Sequence, residues 1–461
     1  MKKLIYFCLL SIGLLSCKNQ AYDILIANGS LIDVETQKIT KSDIYINKDR
    51  IVTIKAAEQA DLSAKTVIDA TDKYLIPGLW DNHVHFRGGE ALVEDNEWFL
   101  SQYIANGITS VRDAGGDLTS KLKQWQKEIE DGTRIGPTIF TSGPKLDGPK
   151  PTWAGSLEIE SKEDIDKALD SLESIGVDYV KIYDSRISAS NYLEIIKNAE
   201  ARGLVSSGHM PFTVTLDQTV DAGIDAIEHL YYVLKGCSSK EAEITTGLRE
   251  GRLGFWDALP QLQNSYDSKV AQLTFTKLKE HKVFVVPTLH IGKTLSYLDE
   301  LDHSDDSYLS QLSDEFKETY QGRIKRFENS TQQAREDRKE LDRFFKELTA
   351  SLNEAGVSLL AGSDAGAYNS YVYPGPSLID ELKAMVAVGL SPAEALKTAT
   401  INGAKFLKKD ADYGTIAEKK MASILILEAN PLHQINNIST IHTLIHLGKV
   451  YPKSVLDSLK N

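Results

Sequence analysis

Cysteine is scarce in this chain. Its 461 residues hold three, Cys8, Cys17 and Cys237, and two of these fall within the first 17 positions. That excludes a disulfide framework and makes thiol redox chemistry an implausible theme. Runs of basic residues are also missing, and the formal charge is -13. Phosphate backbones demand a concentrated positive surface, so no nucleic-acid partner is expected. The apolar stretch at residues 4–15 is shorter than the roughly 20 residues that cross a bilayer. What remains is an ordinary globular composition, 42% hydrophobic and 25% charged, with material for one large domain and a smaller one.

The apolar stretch suits a secretory signal, because Lys2 and Lys3 precede it. It ends in Leu14-Leu15-Ser16-Cys17, which resembles a bacterial lipobox. Residues 1–17 are therefore expected to direct export, with Cys17 lipidated as the mature N-terminus. Lys18 rather than Asp follows, which favours the outer membrane of a Gram-negative cell. Membrane contact is then expected only through that lipid. A plain signal peptide with an incidental cysteine is the alternative.

Beyond it, residues 22–76 alternate apolar and polar positions in short runs such as Ile24-Leu25-Ile26 and Ile44-Tyr45-Ile46, punctuated by Asn28-Gly29. A similar patch, around Ile424-Leu425-Ile426-Leu427 and Leu444-Ile445-His446-Leu447, lies within residues 412–455. Neither patch makes a stable sheet alone, so the two ends are expected to pair into one small β-sandwich. Between them, at 77–411, eight apolar runs recur near residues 75–85, 108–114, 138–142, 179–183, 204–209, 226–230, 283–289 and 358–364, mostly followed by helical segments. That alternation predicts an α/β fold, a (β/α)8 TIM barrel inserted in the sandwich. Two charged insertions, near 235–282 and 302–355, are expected either to wall a pocket or to form solvated helices.

His83 and His85 lie two apart on the first barrel strand, so both imidazoles point the same way. Alone, such a pair is as readily structural as metal-binding. His209, His229 and Asp364 each close another strand, and chance does not readily put five donors on one rim. Lys181 faces the interior by alternation, where an unpaired ammonium is costly. It is either paired with a buried carboxylate or carboxylated by CO2 to a carbamate.

This set, with Ile76-Pro77-Gly78-Leu79-Trp80-Asp81 and Thr109-Ser110-Val111-Arg112-Asp113-Ala114-Gly115-Gly116, resembles the binuclear amidohydrolase superfamily. The similarity is to its branch of imidazolonepropionase-like proteins and Xaa-Pro dipeptidases, and it extends over almost the whole mature chain. It implies that His83, His85 and Asp364 hold one divalent metal and His209 and His229 a second, with carboxylated Lys181 and a hydroxide bridging them. Zinc suits the mixed donors, and Mn2+, Co2+ or Fe2+ also fit. Asp364 would carry the proton from water to the leaving nitrogen.

The expected substrate is a small amide such as a dipeptide or N-acyl amino acid. Alternatives are a cyclic amide, a lactone or a deamination on the same centre, or a binding lipoprotein without catalysis. Tyr183, Tyr231 and His290 are substrate-contact candidates, each equally readable as packing. Continued strand alternation would turn Tyr231 inward and Tyr232 away. Arg112 and Asp113 are readable as a structural ion pair.

Overall fold

The computed structural model describes residues 22–57 and 64–460. Cys17 and the targeting segment lie outside the described residues. Among those described, no helix is long and apolar enough to cross a membrane.

Seven strands surround the barrel axis: Leu79–Val84, Ile108–Asp113, Thr138–Thr141, Val180–Ile182, Ser206–Gly208, Ala226–Glu228 and Phe284–Val286. The eighth position is an extended segment rather than a regular strand. It closes the ring through single parallel bridges, Val285 to Leu359 on one side and Val84 to Ala365 on the other. The backbone N–H of Asn82 donates to Ala361 at 2.9 Å and that of Asp364 to His83 at 2.7 Å. The segment's bridging contacts thus reach both neighbours.

The first apolar run divides in two. Tyr74–Pro77 joins the terminal sheet, and the barrel strand starts at Leu79. Gly78 sits at the junction, where a Cβ would lie only 2.2 Å from the Thr109 hydroxyl. Only glycine leaves room there for the Thr109 side chain.

Tyr74–Pro77 pairs antiparallel with Ile424–Leu427 and parallel with Tyr22–Ile32, so both chain ends meet in one eight-stranded mixed sheet. Ile24, Ile26, Ile44, Leu75, Ile424 and Ile445 pack into one buried cluster drawn from both ends. The fold is the expected barrel set into a terminal β-sandwich.

Local sequence rules place the helices that cover the barrel. Ser188 caps Ala189–Ala201 by accepting from the Asn191 N–H. Tyr192, Ile195, Ile196 and Ala199 of that helix face the core at helical spacing. Ser391 and Glu394 form a capping box on Pro392–Thr398, with proline in the first turn. Inside the barrel, Trp80, stacked on Phe140 with ring centroids 4.9 Å apart, packs with Tyr179, Val286 and Leu360 in one buried cluster. One end of the barrel opens on the histidines.

Candidate metal centre

His83 and His85 bring their Nε2 atoms to 3.3 Å of each other. Asp364 Oδ1 lies 3.6 Å from the first and 3.2 Å from the second. Among the described residues these three form the one group of histidine, cysteine or acidic donors close enough to share an ion. His229 Nε2 stands 3.9 Å from Asp364 Oδ2, and the His229 ring centre is 4.8 Å from that of His209. Asp364 therefore lies between the His83–His85 pair and the His229–His209 pair.

Each ring is oriented from behind. His85 Nδ1 faces the Gly115 carbonyl at 2.9 Å, His209 Nδ1 the Asp184 carboxylate at 3.1 Å, and His229 Nδ1 the Thr288 hydroxyl at 2.8 Å. The carbonyl and the carboxylate only accept, so they fix the proton on Nδ1 and leave Nε2 free to ligate. Burial, reinforced by Arg87 and Lys145, holds His85 well below the ordinary imidazole range. Burial and the neighbouring His209 do the same for His229. Neutral imidazoles with free Nε2 lone pairs beside a carboxylate fit a divalent ion.

The backbone is strained where it presents these donors. His229, Thr288 and Asp364 have φ of 68°, 52° and 58°, left-handed values unusual outside glycine. Asn369 Nδ2 donates to Asp364 Oδ1 at 2.8 Å and secures the last of them.

Beneath the histidines lies a buried charge network. Glu228 accepts from Arg112 at 2.9 and 3.2 Å and from Ser207, and it lies against His83 Nδ1. Lys181 Nζ is 3.4 Å from Glu228 Oε1 but makes no well-aligned hydrogen bond. Its burial pushes the ammonium down to about 8, against the pull of Glu228. Arg112, Lys181 and the His83 contact together hold Glu228 well below the carboxylate range despite its burial.

The centre floors a cavity of about 490 Å³. Both charged insertions reach its wall: Phe255 and Trp256 come from Phe255–Asn264, Arg323 from Asp314–Glu328 and Phe345 from Gln332–Glu354.

The sequence profile of the amidohydrolase family matches residues 74–451. The chain belongs to the amidohydrolase family. Ochratoxinase from Aspergillus niger is 22% identical over a 486-residue alignment, covering 92% of this chain and 85% of the fungal one. A solved Xaa-Pro dipeptidase with bound methionine superposes with a TM-score of 0.67 and 18% identity over 93% of this chain and 99% of the other. A bottromycin amidohydrolase gives a TM-score of 0.72 and 19% identity over 94% and 88%. This amidohydrolase is thus a hydrolase of carbon–nitrogen bonds, from a family that binds divalent metal.

The amidohydrolase fold brings His83, His85, Lys181, His209, His229 and Asp364 to one barrel end, with Tyr183 and Tyr231 on the cavity wall. His290 is not brought there. Thr288 turns the chain and helix Leu289–Ser296 begins at once, leaving His290 near Asp380, Lys293 and His303. Tyr232 does not point away either. Helix Leu230–Gly236 replaces the continued strand, and the buried Tyr232 hydroxyl donates to Asp184 at 2.8 Å. Arg112 pairs with Glu228 rather than Asp113, which accepts instead from Thr141 Oγ1 at 2.7 Å.

The sequence reading missed Glu228, Asp184 and Lys145. An acid beside a histidine at the end of an apolar strand was the available signal for Glu228. Lys145 carried none, because its position depends on how its loop folds over the cavity.

Proposed function

We propose that this amidohydrolase cleaves the amide bond of a dipeptide or N-acyl amino acid, as a prolidase-like dipeptidase would. The observation that carries the reading is the convergence of His85, His209, His229 and Asp364, with His83 behind them, on the floor of a dipeptide-sized cavity with aromatic walls, among them Trp153, Tyr183, Tyr231 and Phe255. Similarity to an Xaa-Pro dipeptidase and to ochratoxinase supports it.

In this proposal His83, His85 and Asp364 hold one divalent metal, His209 and His229 hold another, and zinc is the favoured ion, with Mn2+, Co2+ and Fe2+ as alternatives. Bound metal supplies Lewis-acid polarisation of the scissile carbonyl and a lowered pKa for water. Asp364 Oδ1 accepts from Asn369 and faces His83 and His85, so Oδ2 is the atom that takes the proton from the attacking water and returns it to the departing nitrogen. Tyr183 and Tyr231 contact the substrate from the wall.

Lys181 is proposed to be carboxylated. Its neutral amine attacks CO2, forming an N–C bond and releasing one proton, and the resulting carbamate is an anion suited to lie between two cations. The depressed ammonium makes the neutral amine accessible near neutral pH. Export and lipid attachment at Cys17 belong to the same proposal and rest on the N-terminal sequence.

The test combines elemental analysis with a hydrolysis screen on zinc-supplemented protein. About two divalent ions per chain and release of free amino acid from Xaa-Pro dipeptides or N-acyl amino acids are expected. Metal-loaded protein that leaves these intact while opening a cyclic amide or a lactone, or releasing ammonia from an aminopurine, would overturn the reading.

A further inference from the structure

Aromatic rings run from the histidines to the surface along one wall of the cavity. Tyr231 stands two residues after His229, and its ring centre lies 5.6 Å from that of Phe255 and 5.1 Å from that of Phe345. Phe255 in turn lies 5.1 Å from Trp256. Leu298 and Leu341 line the same cavity. Phe255 and Trp256 come from the first charged insertion, and Leu341 and Phe345 from the second. The wall is therefore built largely by segments that the barrel itself does not require.

Packing alone would bury these rings. Tyr231, Phe255 and Phe345 nevertheless stay half-buried and front the cavity, and Trp256 is 58% exposed while the other four tryptophans are buried or half-buried. A lone apolar residue on a surface needs no explanation. Trp256 is not alone, because it ends a file of rings that starts beside His229. Its own ring is backed by Arg338, whose guanidinium lies 5.9 Å from the Trp256 ring centre and 6.0 Å from that of Phe327. Apolar area left wet in this way gains its transfer free energy only when an apolar group covers it.

The chemistry of the wall chooses which part of a substrate that group belongs to. Rings and alkyl groups offer a carboxylate no hydrogen bond, so of the two halves of an N-acyl amino acid they suit the acyl half. A dipeptide carries an ammonium on that half, which an apolar wall disfavours. Because the file opens to solvent at Trp256, it accepts an extended group.

We propose that Tyr231, Phe255, Leu298, Leu341, Phe345 and Trp256 form a subsite for a bulky apolar acyl group, a medium-length alkyl chain or an aryl group. The preferred substrates are then amino acids acylated by such groups, ahead of small dipeptides. This rests on the cavity being the place of amide hydrolysis, and it selects among the substrates proposed for it.

The test uses zinc-loaded full-length protein and two probes that differ only in the alkyl chain, N-methylsulfonylglycine and N-octylsulfonylglycine, which as sulfonamides resist hydrolysis. In calorimetric titration the octyl probe should bind at least about 100-fold more tightly, the worth of roughly three to four buried methylenes, and with a more negative heat-capacity change. Trp256→Ala and Phe345→Ala should each cut the octyl-to-methyl ratio by about 10-fold. Trp256→Ala should melt with the wild type, since its side chain is largely exposed, so a ratio lost there reads the contact and not the fold. In hydrolysis, N-octanoylglycine should be cleaved with a higher kcat/KM than N-acetylglycine or glycylproline. Equal affinity for the two probes, or a ratio unchanged in both variants, would overturn the subsite. Protein that shows the variant-sensitive chain preference but cleaves no amide keeps the subsite and loses the proposed function. Protein that cleaves glycylproline and N-acetylglycine as well as N-octanoylglycine keeps the function and loses the subsite.

Discussion

Glu228 touches or nearly touches four side chains: Arg112, Ser207, His83 and Lys181. It and Arg112 are both fully buried, so each depends on the other for compensation of its charge. Replacing Glu228 by Gln leaves the guanidinium facing a neutral amide and is expected to destabilise the protein by about 3–5 kcal/mol, read as a lower urea midpoint. An unchanged midpoint would show that Arg112 finds another partner. The donors above this pair were legible because each sits where an apolar run ends, and a barrel gathers strand ends on one rim. Glu228 and Lys145 were not, since their roles come from which strand or loop lies opposite them. Arg112 shows the same limit: its sequence neighbour Asp113 looked like its partner, but the true one is 116 positions away.

Two strands turn straight into helices through a left-handed residue, His229 before Leu230–Gly236 and Thr288 before Leu289–Ser296. Alternation holds only while a strand continues, which is why the sequence misplaced Tyr232; the second early helix carries His290 off the cavity wall. The second turn is held by Glu381 on helix Pro376–Ala387, which accepts from the N–H groups of Leu289 at 3.0 Å and His290 at 2.6 Å. It thus caps a neighbouring helix from outside. Burial raises this carboxyl from an ordinary 4.5 to about 7, although those two bonds oppose the shift. The folded state therefore binds the proton more tightly than the unfolded chain. Glu381's contribution to stability is complete below pH 4.5 and is lost as pH rises through 7. Relative to Glu381→Gln, the wild-type unfolding free energy should fall between these limits by on the order of 3 kcal/mol. Denaturation curves of both proteins across that range would decide it, and a pH-independent difference would show that the carboxyl stays ionised throughout.

At the scale of the whole molecule, the pairing of the two chain ends was legible because neither set of strands makes a sheet by itself. The branching of that sheet was not, since Tyr22–Ile32 meets three different strands and apolar alternation does not choose among them. The pairing ties the sheet to the metal centre by a short route. Ile424–Leu427 pairs with Tyr74–Pro77, Gly78 N–H donates to the Ser423 carbonyl at 2.9 Å, and the next residue opens the strand that carries His83. The C-terminal segment also holds the barrel's outer layer, through Lys449 Nζ on the Gly132 carbonyl. A chain ended before Ala422 loses these contacts together. It bares Leu75 and Ile26, both fully buried in the intact protein, and leaves the edge of Tyr74–Pro77 unpaired. An exposed apolar edge strand promotes association between chains. The truncated protein is therefore expected in the insoluble fraction, and any soluble part should bind less metal than the intact chain. Soluble truncated protein with full metal content and undiminished hydrolysis would show that the barrel folds without its sheet, and that the continuity from Ser423 to His83 does not position the centre.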